Sequence, residues 1–357
     1  MNQEKIDFAF PLKAYLAWRT ILLLFQIFIQ DKIFYSPLSI KISQRIFESW
    51  MTYWDAEHYL TIAQQGYQYP EQAFFPMWPI LLTIGSYVAP IQIAAQILTI
   101  VCGISACIWI YNTAKILEST RIAKYTILLF LAYPGTMFIN ANYTEGLFIT
   151  LAAASWYATI KKKYLIAAVL SGVASGTRLA GASLMFLVAA ANISAKKKVI
   201  LVLLSISGLL MYITYLYIEF KQPLYFFTAQ SAWIERKNNQ ITIPLLTPIN
   251  YILNPEKINP YNQYIDLGFS ILALALLVPI YKAYGAGITL YAATILALGL
   301  GGGKIMSMTR FISTIIPVFI IIPKITKSRA LVLAVGALFF LLQLIGIAKH
   351  TSHFWFN

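Results

Sequence analysis

Charged side chains are scarce in this sequence of 357 residues: Asp, Glu, Lys and Arg together make up 11% of it, whereas 59% is hydrophobic. A soluble domain needs about a quarter of its residues charged to cover its surface. The mean hydropathy of +0.69 points in the same direction. The composition therefore excludes an ordinary soluble globular protein and favours an integral membrane protein.

Cysteine and histidine are also nearly absent, with two and three residues respectively. Cys102 and Cys107 lie in one apolar run at a spacing that puts them on different helix faces, which predicts packing residues. His58, His350 and His353 lack the spacing of a metal-ligand cluster, and no glycine loop of the P-loop or Rossmann type occurs. We therefore predict chemistry without a bound metal or cofactor.

Apolar runs of up to about twenty residues follow one another along the chain, which is long enough for helices that cross a bilayer. The alternating pattern of a membrane barrel does not occur. We predict an all-α polytopic membrane protein in which residues 1–357 form a single transmembrane domain of about eleven helices. The first run lacks a cleavage site and predicts a retained signal anchor. The predicted spans are 14–30, 91–111, 124–139, 145–160, 164–178, 180–195, 199–219, 265–281, 284–299, 310–323 and 330–348, whereas residues 76–89 are too short to cross.

The net charge of +14 is unevenly distributed along the chain. With the N-terminus in the cytoplasm, the inner loops receive 16 of the 27 basic residues but 3 of the 13 acidic ones, as the positive-inside rule expects. The lysine triplets 161–163 and 196–198 therefore predict topological anchors and not a nucleic-acid site. Two long loops, 31–90 and 220–264, then lie on the non-cytoplasmic face. Because they hold most of the carboxylates and aromatic rings outside the spans, we expect the functional site there.

The first long loop contains the string WDAEHYLTIAQQGY at residues 54–67. Asp55 and Gly66 predict the start and the end of a helix near 56–65 that lies flat at the membrane surface. Spacing alone favours a helix cap as the role of Asp55, and the functional alternative is a general base. Glu57 is two residues further on, so on a helix it points almost oppositely and cannot share a substrate with Asp55.

Three other polar features interrupt the apolar runs. The turn NANYTEG at residues 140–146 joins two spans on the outer side. Arg178 lies between two spans that share only about 32 residues, fewer than two full crossings need. We therefore expect its turn to lie below the outer surface and Arg178 to face a wet or anionic cavity. Lys304 and Arg310 flank the glycine run 299–303, and snorkelling at a helix end is the simpler interpretation of Arg310.

The string at residues 54–67 resembles the first luminal loop of the GPI mannosyltransferase 2 (PIG-V-like) family and its prokaryotic relatives. Five further blocks continue the resemblance in the same order, so that the likeness covers most of the chain. These blocks are AFFPMWPIL at 73–81, YPGTMFINANYTEGLF at 133–148, SGVASGTRLAG at 171–181, FTAQSAWIER at 227–236 and SMTRFISTIIPVF at 307–319.

The resemblance implies a GT-C glycosyltransferase fold in the plasma membrane of a prokaryote or the endoplasmic reticulum of a eukaryote. The implied reaction transfers mannose, with inversion, from a polyprenyl- or dolichyl-phosphate donor to a hydroxyl of a membrane glycan or glycolipid. In such enzymes the first-loop aspartate is the catalytic carboxylate, here Asp55, and Arg178 would meet the donor phosphate. The further substrate-binding candidates are Glu57, His58, Tyr143, Glu145, Gln230, Trp233, Arg236, Lys304 and Arg310.

The chemistry of the reaction agrees with this set of residues. Inverting transfer from a lipid phosphate needs one base for the acceptor hydroxyl, and the departing phosphate needs no proton. One carboxylate with nearby cations is therefore sufficient. The alternative is a transporter or flippase of a lipid-linked glycan, in which Arg178 and Glu145 are charges along the substrate pathway. The sequence has no inverted repeat and places its carboxylates on one side, which favours the enzyme.

Overall fold

The computed structural model describes residues 6–33, 52–232, 243–255, 263–303 and 305–351. Within these ranges the chain forms helices and turns and no strand, so the predicted all-α class is confirmed. The predicted candidates Trp233, Arg236 and Lys304 lie outside the described residues.

Seventeen α-helices occur in the described part of the chain, and short 3₁₀ segments connect some of them. The α-helices are α1 Ala9–Ile33, α2 Asp55–Gln65, α3 Met77–Ser86, α4 Ile91–Leu117, α5 Thr120–Ala132, α6 Glu145–Ile160, α7 Tyr164–Ser175, α8 Met185–Ala189, α9 Ala195–Ser205, α10 Ser207–Phe220, α11 Tyr225–Ala229, α12 Leu246–Leu253, α13 Gln263–Tyr284, α14 Ala286–Leu300, α15 Met308–Ser313, α16 Ile316–Thr326 and α17 Arg329–Thr351. The 3₁₀ segments are Glu71–Ala73, Pro134–Asn140, Leu179–Leu184 and Gln230–Ala232.

Four of the described helices, α1, α4, α13 and α17, are long and apolar enough to cross a membrane. Two further pairs pass the same criterion together but are bent, α5 with the segment Pro134–Asn140 by 80° and α9 with α10 by 53°. Length and composition thus support four to six spans, which agrees with a multi-pass membrane protein. The helix α3 has 10 residues and a length of about 15 Å, consistent with the prediction that residues 76–89 do not cross.

The predicted spans 124–139 and 310–323 are each interrupted in the structure. The first breaks between Tyr133 and Pro134, because proline lacks the N–H that would continue the helix. The second is divided into α15 and α16. The first break bends the chain by 80°, and the segment Pro134–Asn140 that follows it packs against α15.

The helix α4 occupies the centre of the bundle and packs against α1, α3, α5 and α6. Small residues at its buried positions, including Ala95 and Ala106, let neighbouring helices approach closely. Cys102 and Cys107 are buried in the same helix and are free thiols. Their predicted role as packing residues is confirmed.

Three segments that the charge pattern predicts on the cytoplasmic side meet at one end of the bundle. Lys324 donates to Oε1 of Glu118 at 2.7 Å, and the hydroxyl of Tyr284 donates to the same oxygen at 2.9 Å. The Lys324 ammonium group also lies 5.1 Å from the centre of the Tyr284 ring. These contacts join the ends of α4, α13 and α16 and support the predicted alternation of the loops.

Candidate active site

Four charged side chains, Asp55, Glu145, Arg178 and Arg310, meet in one place and are called the charge cluster below. They come from distant parts of the chain. Asp55 begins α2, Glu145 begins α6, Arg178 follows α7, and Arg310 lies in α15. Nη1 of Arg310 donates to Oδ2 of Asp55 at 2.6 Å, and Nε of the same side chain donates to Oε1 of Glu145. Nη1 of Arg178 donates to that same oxygen at 2.5 Å. Two cations and two anions therefore neutralise one another.

Glu145 is the centre of the cluster and is completely buried. It is the first residue of α6, where the positive end of the helix favours a carboxylate. Both arginines bind its Oε1, while its Oε2 has no hydrogen-bond partner within the described part of the chain. In the structure Glu145 is a buried counter-ion of Arg178 and Arg310, and its predicted contact with substrate stays a prediction.

Arg310 is held by aromatic rings as well as by carboxylates. Its guanidinium carbon lies 4.6 Å from the ring centre of Tyr143 and 5.3 Å from that of Phe138. The Tyr143 hydroxyl donates to the backbone oxygen of Tyr53 at 3.3 Å, which ties the start of the first-loop helix to this stack. Arg310 is buried, so the interpretation of a snorkelling side chain is wrong.

Arg178 follows α7 and lies between Phe148 and Phe311, with its guanidinium carbon 6.0 and 5.7 Å from the two ring centres. Its side chain is 15% exposed. The sequence analysis expected an anionic environment, and the anion that the structure provides is Glu145. Among the described residues, Glu145 accepts from Nη1 only, which leaves Nε and Nη2 available to a second anion.

The depth of the cluster agrees with the expectation for Arg178. The helices α6 and α7 have 16 and 12 residues, and are therefore about 24 and 18 Å long, at 1.5 Å per residue. The hydrocarbon core of a bilayer is about 30 Å thick. If the turn 161–163 lies at the inner surface, Glu145 and Arg178 lie below the outer surface.

Asp55 faces the opening of the cluster, with 24% of its side chain exposed. The prediction that it caps a helix is wrong in detail: it is the first residue of α2, and Trp54 occupies the cap position without a side-chain cap bond. The predicted end at Gly66 is confirmed, with a φ of 81° that glycine tolerates. Glu57 is exposed on the other side of α2, so the predicted divergence of the two carboxylates is confirmed.

Two other predicted binding residues do not join the cluster. His58 stacks on Phe74 at 4.8 Å, and its Nδ1 lies 3.7 Å from Oε1 of Glu71. Gln230 is half-buried in the segment Gln230–Ala232, and no contact links it to the charge cluster within the described ranges. His58 lies in the first long loop and Gln230 in the second.

Tyr59 lies beside the cluster on the buried face of α2. Its hydroxyl and Oγ1 of Thr144 are 3.5 Å apart. Burial raises the pKa of Tyr59 well above its usual value, and the neighbouring carboxylates Asp55 and Glu145 raise it further. Tyr59 therefore stays protonated at neutral pH and serves as a hydrogen-bond donor, not as a base.

Two charged residues near the site were missed by the sequence analysis. Arg19 was counted among the cytoplasmic charges, but it lies within α1, where its Nη1 donates to Oδ1 of Asn140 at 2.5 Å. Asp266 is buried in the first turn of α13 and accepts from the backbone N–H of Thr309 at 2.7 Å. An ionisable residue inside an apolar run is the signal that could have found both of them.

Residues 30–205 match the protein-family model described as Mannosyltransferase (PIG-V). This range contains Asp55, Glu145 and Arg178, and it confirms the resemblance that the sequence motifs indicate. Arg310 lies beyond it. The match supports the predicted glycosyltransferase class.

Curated relatives are similar to a little over a third of the chain. GPI alpha-1,6-mannosyltransferase 2 of Cricetulus griseus is 29% identical over 141 residues, which are 36% of this chain and 28% of that protein. The Homo sapiens protein of the same name is 28% identical over 37% of this chain and 29% of its own length. GPI mannosyltransferase 2 of Schizosaccharomyces pombe is 26% identical over 39% and 31%. The similarity thus spans less than a third of the length of each relative.

Proposed function

We propose that this chain, whose residues 30–205 match the PIG-V mannosyltransferase family, transfers mannose between membrane lipids. The donor in this proposal is a polyprenyl- or dolichyl-phosphate mannose, and the acceptor is a hydroxyl of a lipid-linked or membrane glycan. The observation that carries the proposal is the charge cluster, where a partly exposed carboxylate, Asp55, pairs with Arg310, and Arg178 joins the same cluster through Glu145.

Asp55 acts as the general base in this mechanism. It takes the proton of the acceptor hydroxyl, whose oxygen forms a bond to the anomeric carbon of mannose as the bond to the phosphate oxygen breaks. The electron pair of the broken bond stays on the lipid phosphate, which leaves with its full negative charge. Attack from the opposite face inverts the configuration at that carbon. One carboxylate suffices, because a phosphate is a good leaving group without a proton.

The two arginines stabilise the charge that develops on the phosphate. Arg178 is better suited to first contact, since it is more exposed than Arg310 and its Nε and Nη2 have no acceptor among the described residues. A guanidinium group binds a phosphate through two parallel bonds, which lysine cannot reproduce. We therefore expect the Arg178→Lys protein to have a raised KM for the donor and a smaller change in kcat, which steady-state kinetics would measure.

The topology that accompanies this function has about eleven crossings in a GT-C architecture, with the N-terminus inside and the loops 31–90 and 220–264 outside. The distribution of basic residues supports it, as does the contact between the predicted inner ends at Glu118. In this orientation Asp55 opens towards the non-cytoplasmic face, where a lipid-phosphate donor and its acceptor would meet.

Cysteine labelling of intact cells checks this orientation. Cys102 and Cys107 are buried, so the unmodified protein supplies a low background. Cysteines placed at Lys162 and Lys197 are expected to resist a membrane-impermeant maleimide, because both positions would face the cytoplasm. A cysteine in place of the exposed Gln65 is the matched control and should react. Efficient labelling at 162 or 197 from outside would overturn the topology.

The decisive experiment for the function is sugar transfer by the purified protein in lipid vesicles. With polyprenyl-phosphate-[³H]mannose as donor, we expect label to move into a glycolipid acceptor fraction in a protein-dependent manner. A flippase or transporter would instead move the labelled donor across the bilayer without forming a new product. Translocation without product would replace the enzyme with the transporter alternative.

A further inference from the structure

Asp266 is a buried acidic residue that the mechanism above does not use. It lies in the first turn of α13 and is fully buried. Its Oδ1 accepts from the backbone N–H of Thr309 at 2.7 Å and also from the hydroxyl of that residue. Its Oδ2 has no partner within the described part of the chain. A buried carboxyl group is costly unless it is bound in this way, so its position calls for a structural or functional reason.

The residue that Asp266 binds directly precedes Arg310 of the charge cluster. Both belong to α15, which has only 6 residues. Such a short helix has little stability of its own and depends on contacts from elsewhere. Its cap residue, Ser307, adopts a left-handed φ of 61° and makes no side-chain cap bond. Asp266 therefore supplies, from another helix, the acceptor that the start of α15 lacks.

The helix α15 is also in close contact with the segment Pro134–Asn140. A Cβ atom at Gly135 would lie 2.2 Å from the backbone oxygen of Thr309 and 3.1 Å from Cα of Arg310. Only glycine fits such an approach. The backbone at Thr309 and Arg310 is thus held between the carboxyl group of Asp266 and the backbone of Gly135.

We propose that Asp266 is a positioning residue: it holds α15 so that the Arg310 guanidinium reaches both Asp55 and Glu145. One part of this inference rests on the proposed function, namely that Arg310 orients Asp55 and binds the donor phosphate. Asp266 itself touches neither carboxylate of the cluster and acts through the backbone of its neighbour.

Two substitutions separate this role from simple packing. Asp266→Asn keeps an oxygen that can accept the hydrogen bonds from the N–H and the hydroxyl of Thr309. An amide nitrogen replaces Oδ2, which has no hydrogen-bond partner in the described part of the chain. Asp266→Leu keeps the number and branching of the side-chain heavy atoms, although it is larger, and leaves the Thr309 N–H without its acceptor. We expect the leucine variant to raise the Kd for polyprenyl phosphate about tenfold or more and the asparagine variant about threefold or less. Tyr284→Phe, at the other end of the bundle, removes a hydrogen bond as a control and should leave the Kd unchanged.

The proposal requires that Asp266 acts through Arg310, which a double-mutant cycle tests directly. In the Arg310→Ala background, Asp266→Leu is expected to cause no further change in the Kd or in kcat. Independent, additive losses would show a general packing role and overturn the proposal. An unchanged Kd in the single leucine variant would overturn it as well.

Hydrogen–deuterium exchange gives a readout that does not depend on the reaction. The amides of residues 308–313 should exchange faster in the Asp266→Leu protein than in the wild type or the asparagine variant. If the wild type neither binds polyprenyl phosphate nor transfers mannose, the proposed function is wrong. The exchange rates of the amides 308–313 still test the positioning role of Asp266 in that case. Unchanged exchange in the leucine variant would refute the positioning role.

Discussion

The Asp55→Asn protein is expected to insert and fold normally and to transfer mannose about a hundredfold or more slowly than the wild type. The physical reason is that asparagine cannot take a proton from the acceptor hydroxyl, and a general base contributes about 10²-fold or more. Asparagine still accepts a hydrogen bond from Arg310, whose Nη1 lies 2.6 Å from Oδ2 of Asp55. The cap position of α2 is Trp54, which makes no side-chain cap bond, so the substitution at Asp55 does not change the cap residue.

The matched control for this prediction is Glu57→Gln. Glu57 lies on the same helix two residues further on and is exposed, so its loss should lower the transfer rate much less. Both rates are measured in the vesicle assay, together with the amount of protein in the membrane. Near-normal transfer by Asp55→Asn would reduce Asp55 to a structural partner of Arg310 and remove the proposed mechanism.

The Glu145→Ala protein is expected to lose most of its stability, in the range of about 3–5 kcal/mol, because removal of one member of a buried ion pair leaves its partner charged and unpaired. Here two partners are affected, since Arg178 and Arg310 both donate to Oε1 of Glu145. We therefore expect a clear drop in the thermal unfolding temperature in detergent and in the folded yield. Glu57→Ala, which removes an exposed carboxylate, should change the unfolding temperature little.

A second substitution distinguishes unpaired charge from lost packing. Arg178→Met in the Glu145→Ala background removes the cation that lost its carboxylate partner, while Arg310 keeps Asp55. It also keeps an apolar chain between Phe148 and Phe311. The double variant is expected to unfold at a higher temperature than Glu145→Ala alone. If Arg178→Met lowers the stability further, Glu145 contributes through packing and not as a counter-ion. Neither variant is expected to transfer mannose efficiently, because each lacks part of the cluster.

The candidate site shows how far local sequence patterns reach. Asp55 was predicted from the resemblance of the first loop, because the local pattern alone favoured a helix cap, and Arg178 was predicted from its place between two short spans. The pairing of Glu145 with two arginines was not predicted, since a carboxylate at a turn has the same local sequence whether or not arginines bind it, and its substrate-binding role stays a prediction. His58 was selected for its type and its place in a motif, but its contacts with Phe74 and Glu71 draw it away from the cluster.

The break at Tyr133–Pro134 and the division of residues 310–323 were not predicted, because hydropathy alone does not reveal them. Hydropathy records how apolar a segment is, and an apolar segment that turns inside the bundle has the same composition as one that crosses straight. Pro134 marked the first break, but proline also occurs inside the described helices α13 and α16. Whether a helix bends at proline depends on what neighbouring elements offer to its freed backbone groups.

The sequence by itself determined the helical, membrane-embedded class, the end of the first-loop helix at Gly66 and the divergence of Asp55 from Glu57. These follow from composition and from the fixed geometry of a helix, which are local properties. Only the tertiary structure decided that Arg310 binds Asp55 and Glu145 across 255 and 165 positions, and that Asp266 holds the helix from which Arg310 extends. Which charges pair depends on how the helices pack, since a buried charge takes whatever counter-ion the assembled bundle brings within reach.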